Sequence, residues 1–329
     1  MAKQKLRFLS AEDVKKALPM KQAVEAMKAA FSLLSGKRAI VPNRLHIETP
    51  AHNGTTLFMP SYVPKIRKMG LKVVSIFDDN PVNGLPAISA LVILIDATNG
   101  LPLAIMEGAS ITALRTGAAS GAATDLLARE NAETAAIFGA GVQAETQFEA
   151  VCSVRKIKQA LVFGRNLQNA KTFAEKMSKQ LSIPVKIVQQ PQDLKSADII
   201  CTATNASEPL FSDEHIKPGV HINAVGAYKP DMREVPGETV TRAKVIVDEL
   251  DACMIEAGDI LIPLYQGKIN ESHIYGELGE VASGVKKGRE TAEEITFFKS
   301  VGNAVQDLVA AEEIFKAAEK MRLGREVDF

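Results

Sequence analysis

The stretch TAAIFGAGVQAE, residues 134–145, decides the fold of this chain. An apolar run that predicts a β-strand leads straight into Gly139 and Gly141, after which a helix is predicted. The first glycine allows a tight turn, the second lets the backbone approach a pyrophosphate, and the small Ala144 lets helix and strand pack closely. Free N–H groups at the helix start would bind the phosphates. The context predicts a dinucleotide site; the alternative is a purely structural turn.

Strands and helices alternate after this turn. Residues 142–155 and 167–180 predict helices, and the runs QALVFGR, VKIVQ, ADIICTAT, HINAVG and KVIVDE predict strands. This alternation is typical of a parallel α/β sheet with helices on both faces. We therefore predict a dinucleotide-binding domain over residues 120–305, and a long helical segment over 291–322 closes the chain.

The first part of the chain has a different pattern. Residues 10–35 predict two helices divided by Pro19, with Ser10 as the N-cap. The runs RLHIET, TTLFMP, LKVVSIF, AISALVILID and PLAIME follow without an intervening helix, and Asn53-Gly54 indicates a hairpin between the first two. This succession predicts an antiparallel or mixed sheet. Residues 1–119 would form this second domain, and residues 306–329, with the end of the terminal helix, would return to it.

Composition limits the possible partners and compartments. The 329 residues carry no net charge and include no Trp and only four Tyr, so neither a nucleic acid nor a membrane surface is an expected partner. Three scattered cysteines indicate a reducing compartment, and the N-terminus lacks the apolar run of a secretory signal. We expect a cytoplasmic protein.

No motif for a metal or for a serine nucleophile is present. The five His lack H-x-x-H and H-E-x-x-H spacings, and no G-x-S-x-G occurs. The run SDEH, residues 212–215, resembles a helix start more than a metal cluster. We expect no metal.

The strand after the glycine turn bears on the type of cofactor. Sites for NAD usually end this strand with Asp or Glu, which binds the ribose 2′-hydroxyl. Here Gly164, Arg165 and Asn166 stand at the end, so a guanidinium occupies the place where a 2′-phosphate would need a cation. NADP(H) is favoured, with NAD(H) as the alternative if Arg165 only stacks on adenine.

Three basic residues are candidates for binding an anionic substrate. Arg115 lies in the Ala- and Gly-rich helix predicted over residues 110–128, with no acid within a turn, so burial would require an anion. That anion is a ligand or, alternatively, a distant Asp or Glu. Lys72 has apolar neighbours and would act as an acid or base if buried, although an edge-strand lysine is more often solvated. Arg44 would share a strand face with His46.

Together, these motifs resemble the ornithine cyclodeaminase/μ-crystallin family. The resemblance runs nearly end to end and is carried by RLHI, GLKVVSIF, NGLPAI, ITALRTGAASGAA, IFGAGVQA, HINAVGA and EEITFFKSVGNAVQDLVAA. It implies a Rossmann-type doubly wound parallel sheet, together with a discontinuous α+β domain for substrate binding and dimerisation. It also implies homodimers.

The resemblance also implies the roles of individual residues. Arg44, Lys72 and Arg115 would be the catalytic residues around the substrate carboxylate and reacting nitrogen, with Val301 also at the substrate. The implied cofactor contacts are Arg115, Thr116, Gly139, Gly141, Val142, Gln143, Arg165, Asn166, Thr204, Val225, Gly226 and Ser300.

One loop, VGAYKPDMREVP at residues 225–236, separates the branches of the family. The resemblance implies that cyclodeaminases carry an acid where this chain has Tyr228. The form of the loop resembles the ketimine reductases, which implies NAD(P)H-dependent reduction of a cyclic α-imino acid. Two alternatives stay open: ornithine cyclodeaminase or amino-acid dehydrogenase activity with Asp231 as the replacement acid, and a non-enzymatic, crystallin-like NADPH-binding protein.

Overall fold

Two units are formed by three segments of the chain. The computed structural model describes residues 5–329, and the chain passes from the first unit to the second after Arg115 and returns at Asn303. The first unit thus holds the described residues up to Arg115 with Asn303–Phe329, and the second holds Thr116–Gly302. The role of each unit stays a prediction.

The strands and helices of both units are numbered here along the chain. The strands of the described residues are β1 (Lys5–Leu9), β2 (Leu45–Thr49), β3 (Gly54–Val63), β4 (Lys68–Phe77), β5 (Ile88–Asp96), β6 (Pro102–Glu107), β7 (Thr134–Phe138), β8 (Gln159–Phe163), β9 (Val185–Ile187), β10 (Ile199–Thr202), β11 (His221–Ala224), β12 (Lys244–Val247), β13 (Ile274–Glu277), β14 (Thr296–Lys299) and β15 (Arg325–Asp328). The α-helices are α1 (Ala11–Ala17), α2 (Met20–Ser35), α3 (Gly108–Leu127), α4 (Val142–Val154), α5 (Leu167–Leu181), α6 (Gly237–Arg242), α7 (Leu250–Glu256), α8 (Gly258–Tyr265), α9 (Leu278–Ala282) and α10 (Ala304–Met321).

The first unit is built on a mixed sheet, as the sequence predicts. Its strand order is β15-β1-β6-β5-β4-β3-β2, and every neighbouring pair is antiparallel except β1 and β6. The hairpin at Asn53-Gly54 is confirmed, although its turn is longer than two residues. Pro50–His52 form a 3-10 turn, Asn53 has a φ of 46°, and Thr49 pairs with Gly54.

Helices cover one face of that sheet. Helix α10 packs on β3, β4 and β5 and on α2, and the alternate side chains Leu57 and Met59 of β3 form a core with Ala304. The predicted helix start at Ser10 is confirmed, because its hydroxyl caps α1 in a reciprocal box with Asp13. This arrangement places the start of α10 beside the centre of β4.

The second unit has the predicted doubly wound parallel sheet. The strand order is β13-β12-β14-β11-β10-β7-β8-β9 and all neighbours are parallel. From β7 the chain moves first to β8 and β9 on one side, then to β10 and β11 on the other, so the topology reverses between β7 and β10. Ligands bind at the carboxyl ends of strands at such a switch point.

One predicted element is wrong. The segment 291–322 is not a continuous helix, because Thr296–Lys299 form β14 between β11 and β12, and α10 begins only at Ala304. Thr, Phe and Phe favour a strand, and complete burial on both faces of the sheet removes the polar alternation that would have marked it. The strands β1, β13 and β15 lie outside the predicted elements.

Candidate active site

The first unit brings Lys72 and Arg115 to one carboxylate. Lys72 Nζ of β4 lies 2.7 Å from Asp307 Oδ2 of α10, and Arg115 Nε lies 3.2 Å from Asp307 Oδ1. Lys72 is 3% and Asp307 2% exposed, so the pair is inside the protein. The expectation of a solvated edge-strand lysine is wrong, because β4 is an internal strand that starts four residues earlier, at Lys68.

Arg115 has a second partner at the start of α10. Its Nη1 donates to Gln306 Oε1 at 3.0 Å, and that oxygen also accepts from Asn303 N at 2.8 Å. The anion that meets Arg115 is therefore, within the protein, the distant acid Asp307. The buried Gln306 Nε2 has no acceptor within residues 5–329, which leaves one donor beside Arg115 for a ligand.

Burial changes the proton affinity of Lys72. The desolvation of its ammonium, together with the nearby Arg115 and Arg44, lowers the pKa of Lys72 to about 8, although Asp307 opposes the shift. Arg44 directly precedes β2 and is half-buried. A lysine with this pKa exchanges its proton near neutral pH, which an ordinary lysine does not do.

The cluster carries more positive than negative charge. Lys72 and Arg115 both pair with the carboxylate of Asp307, so two cations share one anion, and Arg44 is close enough to lower the pKa of Lys72. Buried charges are stable only when they are paired, so an additional anion is favoured here. A small carboxylate fits this requirement, because guanidinium groups bind it through paired hydrogen bonds.

In the second unit, the glycine turn has the geometry that its residues predict. Gly139 follows β7 with a φ of 112°, and a Cβ there would lie 2.7 Å from Ala203 O, so only glycine fits. Gly141 precedes α4, and a Cβ added to it would meet nothing within 4 Å. Ala144 is buried against the sheet. The turn thus presents open backbone at the switch point of the sheet.

The start of α4 suits a pyrophosphate. Helix α4 has 13 residues, and among the described residues no side chain caps its N-terminus at Gly141. Val142 is 64% exposed, and the buried Gln143 Oε1 has no donor in the part of the chain that the structure describes. Free N–H groups at a helix start bind phosphate, so these residues fit a dinucleotide. Thr116 of α3 lies beside α4, because its carbonyl oxygen accepts a hydrogen bond from Gln147 Nε2 of α4 at 3.1 Å.

The end of β8 carries no acid. Arg165 is exposed after β8, and Asn166 caps α5 by accepting from Asn169 N at 3.0 Å. The side-chain oxygen of Asn166 is therefore committed to the helix, and Arg165 is the charged group available to a ribose substituent.

Sequence reasoning missed the residue that organises the next two strand ends. The buried Glu234 accepts from Thr204 N at 2.7 Å and from Gly226 N at 2.8 Å, so its carboxylate joins the loops after β10 and β11. Burial and the neighbouring Asp259 raise the pKa of Glu234. Glu234 directly follows the charged Arg233, and no local pattern marks it as buried. Val225 N continues the ladder by donating to Thr202 O at 3.1 Å.

A second missed acid organises the loop after β14. Asp248 Oδ2 accepts from Ser300 Oγ at 2.7 Å, Val301 N at 3.0 Å and Gly302 N at 2.8 Å. Ser300 is buried and Val301 half-buried. The predicted site residues Ser300 and Val301 thus lie in a loop that Asp248 holds at the carboxyl edge of the sheet.

The tip of the loop 225–236 faces water. Tyr228 is 42% exposed, with Lys229 Nζ 5.9 Å from its ring centre, and Asp231 is exposed too. Neither is buried as Lys72 is.

The three cysteines lie in the second unit, where Cys201 and Cys253 are buried and Cys152 is half-buried. Burial raises the pKa of Cys152 and of Cys201 to about 12, so both thiols are protonated at neutral pH. No group of His, Cys, Asp and Glu in residues 5–329 has the geometry of a metal site. Of the helices described, none is long and apolar enough to span a bilayer.

Comparison with known proteins gives consistent matches over the whole chain. The model of the ornithine cyclodeaminase/mu-crystallin family matches residues 4–322. A Δ1-pyrroline-2-carboxylate reductase of Bacillus cereus is 39% identical over 323 residues, covering 98% of this chain and 99% of its own length.

Two solved structures also resemble this chain over nearly its whole length. That of Thermococcus litoralis Δ1-pyrroline-2-carboxylate reductase, in complex with NADH and L-proline, has a TM-score of 0.93 and 46% identity over 98% of this chain and 100% of its own. An archaeal alanine dehydrogenase dimer with bound NAD has a TM-score of 0.91 and 32% identity over 99% of this chain and 100% of its own. This chain belongs to the ornithine cyclodeaminase/μ-crystallin family.

Proposed function

We propose that this protein uses NAD(P)H to reduce Δ1-pyrroline-2-carboxylate to L-proline, and the six-membered analogue Δ1-piperideine-2-carboxylate to L-pipecolate. The observation that carries the proposal is the buried Lys72, whose pKa of about 8 and cationic neighbours suit a small anionic substrate that needs a proton. Relatives that carry the reductase name match nearly the whole chain, which supports it.

The first unit would bind and protonate the substrate. Arg44 and Arg115 would hold the carboxylate through charge-assisted hydrogen bonds, and Gln306 Nε2 is a further donor beside them. Lys72 Nζ would donate its proton to the ring nitrogen, because an iminium accepts hydride far better than a neutral imine. Asp307 holds the Lys72 ammonium in place at 2.7 Å.

The second unit would hold the cofactor. When bound, the nicotinamide supplies the hydride that the imine carbon takes up. The backbone at Gly139 and Gly141, with Val142 and Gln143 at the start of α4, would bind the pyrophosphate. At the reacting end, the proposed contacts are the cofactor residues on the loops at the carboxyl edge of the sheet and on α3, namely Thr116, Thr204, Val225, Gly226 and Ser300.

NADP(H) would be favoured over NAD(H), and both would be accepted. Arg165 is exposed beyond β8, where the sequence offers no carboxylate to repel a 2′-phosphate. Arg165→Ala should raise the KM for NADPH about 10-fold and leave the KM for NADH within about twofold. Equal changes for both cofactors would remove this role of Arg165.

A homodimer is proposed from the first unit. Helix α10 covers one face of the mixed sheet, while Phe58, Leu71, Leu91 and Ile93 alternate to the other face and stay partly exposed. Leu91→Asp would place a charge on this face, and sedimentation should shift from dimer to monomer. A dimer of unchanged stability would reject this face as the interface.

One assay separates this function from its alternatives. Purified protein with NADPH and Δ1-pyrroline-2-carboxylate should lose nicotinamide absorbance, and the product should be L-proline. Release of ammonia from ornithine, or NAD(P)+-dependent oxidation of L-alanine, without reduction of the imine would favour the cyclodeaminase or dehydrogenase alternative. Cofactor binding with none of these reactions would favour the crystallin-like alternative.

A further inference from the structure

The loop of residues 225–236 is closed by its own carboxylate. Glu234 Oε2 accepts from Gly226 N at 2.8 Å and from Ala227 N at 3.1 Å, so the end of the loop is tied to its beginning. The exposed tip with Tyr228 therefore projects from a fixed base.

The same carboxylate holds the loop after the neighbouring strand. Glu234 Oε1 accepts from Thr204 N at 2.7 Å and Thr204 Oγ1 at 2.8 Å, and Oε2 accepts from Thr202 Oγ1 at 2.9 Å. The register of β10 and β11 ends where Thr202 pairs with Ala224. Glu234 thus continues to link the two segments of the chain beyond the ends of β10 and β11.

The backbone at Glu234 is held in place by a second buried acid, Asp259. Its backbone N and that of Val235 donate to Asp259 Oδ1 at 2.7 and 2.9 Å, and Asp259 Oδ2 lies 2.9 Å from the buried Lys299 Nζ. At Gly226, any Cβ would collide with Thr204 O and with Glu234 Oε1. The two loops are therefore held in direct contact with no free space.

We propose that Glu234 is a positioning residue for the nicotinamide, because it fixes Thr204 and Gly226 relative to each other. This rests on the proposed function, in which both residues contact the cofactor. Glu234 is fully buried, and within residues 5–329 its side chain accepts five hydrogen bonds, from Thr202 at the end of β10 and from these two loops, so it acts through them. The phosphates would bind elsewhere, at Gly139 and Gly141, so loss of Glu234 slows hydride transfer more than it weakens cofactor binding.

Glu234→Gln tests this role against a matched control. The amide turns its NH2 group toward the donors of one of the two loops, so that loop loses its acceptor. Asp198 is the control, since it also accepts backbone N–H bonds, from Glu133 at 2.9 Å and Thr134 at 3.0 Å, but at the amino ends of β7 and β10.

The expected result is a split between turnover and binding. E234Q should lower kcat about 10- to 100-fold, while the Kd for NADPH by titration changes less than about threefold. With 4-deuterated NADPH, E234Q should show the full intrinsic deuterium isotope effect on kcat, because hydride transfer then limits its turnover. D198N should lower the melting temperature and keep the wild-type kcat. Wild-type kcat in E234Q, or the same loss in D198N, would overturn the proposal.

A milder variant covers the case in which E234Q does not fold. Thr202→Val removes one of the five donors, and kcat should fall about 2- to 10-fold with unchanged cofactor affinity. Wild-type kcat in T202V would then overturn the proposal.

Failure of the proposed function gives a different pattern. If the wild-type protein binds NADPH without reducing the imine, the proposed function is wrong, and the fluorescence of bound NADPH decides the role of Glu234. If binding enhances the nicotinamide fluorescence of NADPH less in E234Q than in wild type and D198N, the positioning role of Glu234 is supported. Equal enhancement in all three would overturn it.

Discussion

In each of the two units, a lysine and an aspartate form a buried ion pair. Lys72 and Asp307 lie 2.7 Å apart in the first unit, and Lys299 and Asp259 lie 2.9 Å apart in the second. Both pairs are almost fully withdrawn from water. By distance and burial alone the two pairs are the same interaction.

Their neighbours make them different. In the first pair Asp307 is shared between Lys72 and Arg115, so two cations meet one carboxylate. The second has Glu234, whose carboxylate is satisfied by hydrogen bonds from two loops. A buried cluster with unbalanced positive charge can take up an anionic ligand, whereas a cluster satisfied within the protein can only hold structure. The surroundings of an ion pair, not the pair, indicate its use.

The largest expected effect is on turnover when the first pair is broken. Lys72→Ala should lower kcat about 10²- to 10⁴-fold, because the proton donor to the imine is lost. The melting temperature should stay near that of wild type, since Arg115 still pairs with Asp307. Lys68→Ala, on the same face of β4, is the control and should keep full activity. Turnover of K72A within twofold of wild type would contradict the assigned role.

Breaking the second pair should act on stability instead. Lys299→Met leaves Asp259 as an uncompensated buried charge near Glu234, so the free energy of unfolding should fall by about 3–5 kcal/mol. Urea unfolding followed by circular dichroism measures this. If K299M unfolds at the same urea concentration as wild type, the Lys299–Asp259 pair does not stabilise the fold.

The pH dependence of the reaction should follow the first pair. As the proposed proton donor, Lys72 would act only when protonated, and its pKa of about 8 means that the ammonium is present below that pH and lost above it. At pH values above about 8, kcat/KM for imine reduction should therefore fall about tenfold per pH unit. A flat profile up to pH 10 would show that another group supplies the proton.

The smallest expected effect is a shift in the pH profile of kcat/KM when Asp307 loses its charge. Asp307 raises the pKa of Lys72 against burial, so Asp307→Asn should lower this pKa further and move the falling limb to lower pH. Glu312→Gln, at a second buried acid of α10, should leave the limb in place. A limb that stays in place or moves up in D307N would contradict the electrostatic account.

Much of the fold follows from local patterns. The glycine turn at Gly139 and Gly141, the alternation of strands and helices after it and the antiparallel succession before it are all readable, because each depends on neighbours in the chain. The strand β14 was lost in a predicted helix, because a strand buried on both faces has no alternation to show. Its place is decided by β11 and β12, which flank it.

The candidate site is readable only in part. Lys72 and Arg115 are candidates because of their apolar neighbours, Arg44 because of its place on a strand face, and the resemblance to a family implies their roles. Their shared acid, Asp307, was not found, because it lies 192 positions from Arg115 along the chain. Glu234 was not found either, because it is the packing of β10, β11 and α8 that buries it.

The sequence by itself determined the dinucleotide turn, the family and the ketimine-reductase form of the loop with Tyr228, since these depend on residue types at fixed spacing. The tertiary structure alone decided which charges are buried together. It placed Lys72 with Asp307 and Lys299 with Asp259. The proton affinity of a buried group is set by burial and by charges within a few ångströms, and those neighbours come from distant parts of the chain.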